Sequence, residues 1–228
     1  MPVARQRDAL QELTKAALDD LGAVWDRMSA ADAVEVRDAL IEVLPALGDR
    51  YGAAAAALAA EYYDTERARA EAKGRFEPVV PQDLPPARWE ALARWGVDPL
   101  FAAEPDTAAA LSLVSGGLQR SIADQHRLTV VESSVADPAA SGWRPATRAG
   151  ACGFCRMLAG RGGVYSESSV EFKSHDNCHC TAKPEFASNV TKVIGVPFKY
   201  SERKANWSED RKRQENQRVY DYLKNAAD

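Results

Sequence analysis

All four cysteines of this 228-residue chain fall in one stretch, "ACGFCRMLAGRGGVYSESSVEFKSHDNCHC", from Ala151 to Cys180. Of the three histidines, His175 precedes the second cysteine pair and His179 sits between its two members; the third is His126. Thiolate and imidazole are the ligands Zn²⁺ prefers, four in a tetrahedron, and Cys-x-x-Cys lets one turn supply two of them. Cys152-Gly-Phe-Cys155 has that spacing, and Gly153 leaves the backbone free to curl around an ion. "HDNCHC" then offers His175, Cys178 and Cys180. His-x-x-Cys is a spacing of the same kind, and an extended Cys-x-Cys puts both thiolates on one side. Five candidates therefore compete for four places: Cys152 and Cys155, with two or three of His175, Cys178 and Cys180. A full ligand set leaves no open position, so the expected cofactor is a structural Zn²⁺, with no small-molecule substrate.

Other chemistries fit the same residues. Two disulfides joining the pairs would each stabilise by roughly 3 kcal/mol on the chain-entropy view, but they need an oxidising setting. Thioredoxin-like use of Cys-x-x-Cys expects a βαβ surround that the sequence does not show. A zinc deaminase expects a glutamate two residues after a ligand, upstream of P-C-x-x-C, and none stands there. A cysteine nucleophile would take His126, His175 or His179 as its base, and nothing local singles one out. The adjacent serines of "VESSVAD" (Val131 to Asp137) read as helix-end capping, and no Ser-His-Asp arrangement is evident. No catalytic residue is assigned. Metal leads, with disulfide, reactive thiol and plain buried thiol still open.

Most of the chain that must position this window reads as helix. Leu10, Leu13, Leu18, Leu21, Trp25 and Met28 recur at helical spacing between Arg5 and Met28. Asp32 opens a second run through Val36, Leu40, Val43, Leu44 and Leu47, with Pro45 near its expected end. "YGAAAAALAAEYYDTERARAEAK", Tyr51 to Lys73, is rich in the best helix former and predicts a third helix. The prolines of "FEPVVPQDLPP" (Phe76 to Pro86) mark a linker or an extended crossing. A short helix with Trp89, Leu92 and Trp95 follows, then a longer one from Asp106 to about Val135, interrupted at Gly116-Gly117. "ASGWRPATRAGAC" reads as a loop; strands are expected only at "GGVYSES" and "TKVIGVPFKY". A polar helix from Ser208 closes the chain. The fold class is thus mainly α, a helical N-terminal region followed by a small α+β module stapled by the Cys/His cluster. The expected segments are a helical arm or bundle over 1–75, a Pro-rich linker with a short helix over 76–105, a cysteine-bearing module over 106–200, and the polar helix over 201–228.

With 46% apolar and 27% charged residues, the composition is that of an ordinary soluble globular protein. No run approaches the ~18 apolar residues of a membrane span, and the N-terminus carries no apolar signal region. First folding in a reducing cytosol is expected, which favours metal over disulfides. The net charge of −4 is unevenly divided. Residues 1–140 hold 14 Lys and Arg against 23 Asp and Glu, and residues 141–228 hold 15 against 10. The first part should repel nucleic acid, whereas the second could approach an acidic partner, packaged DNA included.

The order Cys-x-x-Cys, a Leu-containing turn, "GRGGVY", a phenylalanine, His-x-x-Cys-x-Cys and "KPEF" resembles the phage Mu F-like minor head protein family, in its actinobacteriophage minor capsid branch. His175, Cys178, Cys180, Pro184 and Phe186 keep that family's order, and "GWRPATRAGACGFCRMLAGRGGVY" resembles its entry into the first pair. The likeness covers about residues 105–190. It implies a structural head-morphogenesis protein of a tailed phage or prophage, made in the host cytoplasm. Such a protein sits in the virion in few copies, at the capsid interior or portal vertex, with the portal or major capsid protein as partner. Some related proteins carry the label capsid maturation protease, which makes a protease the alternative. A nucleic-acid-binding head protein using the basic C-terminal region is the second alternative.

Overall fold

Leu10, Ala17, Leu21 and Trp25 bury one face of helix α1, Val3–Arg27. The structure, a computed structural model, describes residues 3–82, 84–147 and 180–186, together with Ala151, Arg156, Ala159, Ser208, Asp210, Arg211, Arg213, Gln214 and Gln217. Helix α2, Ala33–Arg69, starts at a capping box. Asp32 Oδ1 accepts from the Val34 and Glu35 amides, each at 2.9 Å, while Glu35 Oε2 accepts from the Asp32 amide at 3.0 Å.

Contrary to the expected break, α2 runs through Pro45 without ending, so the two helices anticipated over this stretch are one. Proline inside a helix deletes one N–H bond and costs about 3 kcal/mol. On either side of it Leu40, Leu44, Leu47 and Tyr51 are buried in one core, and that burial outweighs the local penalty. The helix stops at Arg69, short of Lys73, for a reason visible in its last turn. Arg67 donates from its guanidinium to the carbonyls of Lys73 and Gly74, both at 2.9 Å, while Glu71 and Gly74 take φ of 51° and 78°.

Residues 72–82, 84 and 85 then run in irregular conformation across α4 as a strap. The Val79 amide donates to Ser133 Oγ at 2.9 Å, and Gln125 Nε2 donates to the Gln82 carbonyl at 3.3 Å. Helix α3, Pro86–Gly96, and a 3₁₀ turn, Asp98–Phe101, lead to α4, Thr107–Ala136, which Asp106 caps by accepting from the Ala109 amide. Gly116 and Gly117 do not interrupt α4. Gly117 is a packing residue: a Cβ there would lie 2.2 Å from Leu92 Cδ1 of α3. Gly48 of α2 serves Trp89 in the same way, with the indole occupying the space of a side chain.

Two strands follow, β1 at Gly142–Ala146 and β2 at Thr181–Glu185, paired antiparallel from Gly142 opposite Glu185 to Ala146 opposite Thr181. The first overturns the loop expected at "ASGWRPATRAGAC". Each strand contains a proline, Pro145 and Pro184, and neither shows β-branched alternation, so propensity gave no hint of pairing. The strands expected at "GGVYSES" and "TKVIGVPFKY" lie outside the described residues.

The described chain is mainly helical, with two apolar clusters. The larger joins α1, α2, α3 and the first half of α4 around Leu21, Leu40, Leu44, Trp89, Leu118 and Ile122. The smaller joins the second halves of α2 and α4 to the strand pair. Of the C-terminal segment, Asp210, Arg211, Arg213, Gln214 and Gln217 are helical and exposed.

Candidate functional site

The cysteine window departs from the described fold just after β1 and rejoins it at β2. Its seat is the smaller apolar cluster, where Ala59, Tyr62 and Tyr63 of α2 meet Val130 and Val131 of α4, Trp143 of β1, and Ala182 of β2. Ala151, immediately before Cys152, and Cys180, the last cysteine, are both buried in this cluster, at 8% and 3% exposure. The two ends of the window are thus pinned on one patch of the helical body.

Polar groups fix that patch. Arg127 is almost fully buried; its Nε donates to the Cys180 carbonyl at 2.8 Å and its Nη1 to Asp124 Oδ1 at 2.6 Å. A helix side chain therefore holds the backbone of a cysteine that lies 53 residues away in sequence. Below it, Asp137 closes α4 with a fully buried carboxylate that accepts from Arg67 Nε at 2.8 Å and from the Tyr63 hydroxyl at 3.2 Å. The Tyr63 ring packs on Phe76 of the strap and edge-on against Phe186 after β2, each at 5.8 Å between centroids. Burial first, then the Asp137 charge, pushes the Tyr63 hydroxyl well above its ordinary pKa, so it stays a donor. At the outer edge Arg144 pairs with Glu185 across the strands, and Lys183 reaches Glu66 of α2 at 3.7 Å. The Tyr62 hydroxyl and Thr181 Oγ1 are buried without a hydrogen-bond partner among the described residues.

Of the five expected ligands, only Cys180 is among the described residues; Cys152, Cys155, His175 and Cys178 lie outside them, as does His179. Among the described residues no three His, Cys, Asp or Glu side chains gather as a metal site. His126, a candidate base, is fully buried on α4 with Gln6 of α1 against its Nε2. Burial, then the neighbouring Arg127 charge, holds its pKa down to about 3. A ring sealed in that way reaches no substrate. The paired serines are also committed: Ser133 Oγ accepts from the Val79 amide, and Ser134 Oγ donates to the Val130 carbonyl at 2.7 Å. Sequence reasoning missed Arg127, Asp137, Arg67 and Tyr63 altogether. The only hint was Arg127 among the mostly uncharged residues of the Asp106 to Val135 helical run.

No helix among the described residues is long and apolar enough to cross a membrane. Comparison with curated proteins and with solved structures gives no match. A family model does match: that of the VG15 protein, over residues 2–203, which takes in the helical body, the strand pair and the whole cysteine window. The chain belongs to the VG15 protein family and is a phage protein.

Proposed function

We propose that this phage protein is a structural minor capsid or head-morphogenesis protein, Mu F-like in its cysteine module. It works at the portal or capsid interior and is held together by a Zn²⁺ on Cys152, Cys155 and a pair drawn from His175, Cys178 and Cys180. The observation that carries the reading is the convergence of Ala151 and Cys180 in one buried cluster. A segment that leaves and re-enters the body at one patch closes a loop, and a metal held by residues next to both ends is a natural clasp for it. The donor set suits zinc, being thiolates with an imidazole, and Cys180 is already buried away from water. Metal binding contributes on the order of 10 kcal/mol to folding small units of this kind.

The helical body is acidic and offers surface for the portal or the major capsid protein. The basic segment 201–228 is the part suited to packaged DNA. The protease alternative gains no support from His126, Ser133 or Ser134, which are buried and bonded within the fold. Mass spectrometry of gradient-purified particles tests the assignment. The chain should be present, in few copies relative to the major capsid protein. Absence from particles, combined with specific cleavage of the capsid precursor by the purified chain, would replace it with the enzymatic reading.

A further inference from the structure

Arg127 holds the last cysteine by its backbone. Its Nε donates to the Cys180 carbonyl at 2.8 Å, and both residues are almost fully buried. The strand ladder does not reach this far, since it ends at Thr181 opposite Ala146, one residue short of Cys180. Other buried hydroxyls of α4 turn back on their own helix. Ser121, Thr129 and Ser134 donate to the carbonyls of Gly117, Gln125 and Val130, each four residues earlier. Arg127 instead crosses to a residue 53 positions away.

A neutral amide or hydroxyl could satisfy one carbonyl, whereas burying a guanidinium carries a desolvation cost. What arginine adds is a rigid planar fork. Asp124 accepts from its Nη1 at 2.6 Å, which fixes the plane and with it the direction in which Nε points. Arg88 of α3 reaches the other Asp124 oxygen at 3.4 Å. The Cys180 backbone is thereby tied, through Arg127 and Asp124, to two helices of the body. Metal ligands need such support: a donor atom has to stay within about 0.5 Å of its productive position. Partners outside the ligand set are what hold it there.

We propose that Arg127, oriented by Asp124, is a positioning residue for the metal clasp, and that the thiolate it positions, Cys180, is one of the four ligands. This rests on the zinc reading of the window and narrows it, because Cys180 then fills one place of the pair drawn from His175, Cys178 and Cys180.

The test uses the full chain. Zinc affinity is measured by competition with a chromophoric chelator, and Co²⁺ in place of zinc reports the ligand geometry through its absorption. The parent should bind one Zn²⁺ per chain. Arg127→Met should weaken zinc binding by about 10–100-fold and alter the Co²⁺ ligand-field bands. Arg127→Lys keeps the charge beside Asp124 but not the fork, and should fall between Arg127→Met and the parent. It also carries the test if Arg127→Met loses its helical circular dichroism. Cys180→Ala should weaken zinc more than either and reduce the thiolate-to-cobalt charge-transfer band. A role confined to packing would lower the unfolding temperature of Arg127→Lys but leave its zinc affinity and cobalt spectrum those of the parent, which would overturn the proposal. Cys180→Ala with the parent's affinity would overturn it too. A parent chain that binds no zinc would end the zinc reading and this inference together, whereas zinc bound equally by parent and variants removes the inference alone.

Discussion

His126 is sealed between α1 and α4, with the Gln6 amide on one ring nitrogen and no hydrogen-bond partner for the other among the described residues. Folded, its pKa is about 3; unfolded, it returns to about 6.5, so between those values the unfolded chain binds more protons. The stabilisation from keeping this ring neutral is therefore complete above pH 6.5 and is lost as pH falls towards 3. The loss should approach about 1.4 kcal/mol per pH unit. Urea midpoints measured across this range should fall less steeply for His126→Gln than for the parent, and parallel curves would mean that another group titrates. At Gly48 two effects of opposite sign meet. Alanine is the better helix former by about 1 kcal/mol. Its Cβ, however, would lie 2.0 Å from Trp89 Cζ2, on an indole that is 1% exposed and has nowhere to go. Overpacking of this kind costs typically about 1–3 kcal/mol, so Gly48→Ala should lower the denaturation midpoint. A raised midpoint would show that the indole can move.

Among the elements, the strap and the end of α4 depend on one buried pair. Arg67 holds the Lys73 and Gly74 carbonyls just beyond α2 and, with Tyr63, the Asp137 carboxylate that ends α4. Asp137→Ala leaves a guanidinium that is 13% exposed without its partner, a change of the kind that costs about 3–5 kcal/mol. Arg67→Met combined with Asp137→Ala should cost less than the two singles together, and strict additivity in a double-mutant cycle would contradict the pairing. The sequence announced α1 through its apolar spacing and the start of α2 through Asp32, because those signals are local. Pro45 and Gly116-Gly117 misled for the opposite reason: their local meaning, a break, gave way to the core burial of Leu44 and Leu47 beside the proline and to the close approach of Leu92 at Gly117. "GWRPA" and "TAKPE" became strands by pairing with each other, which neither reveals alone. The cysteine window was legible as chemistry from spacing. Its seat was not, since Arg127 meets Cys180, and Arg67 meets Asp137, across 53 and 70 residues.

At the scale of the whole molecule, the helical body and the cysteine window play different parts. The body has its own core, built from α1 to α4 around Trp89 and Leu44, and needs nothing from the window to bury it. The window is tied to that body at Ala151 and Cys180, and in our reading is closed by metal between those ties. Cys152→Ser or Cys178→Ser should therefore unfold the C-terminal module while the helical circular dichroism signal largely persists. Either variant with unchanged thermal stability would mean that its thiol holds nothing. The most direct measurement is the metal content of the full chain, purified without chelator, by mass spectrometry with free thiols counted in parallel. The account requires about one zinc per chain and no disulfide-linked mass. Protein without metal, whether its four cysteines are oxidised in pairs or one thiol is unusually reactive, would contradict it.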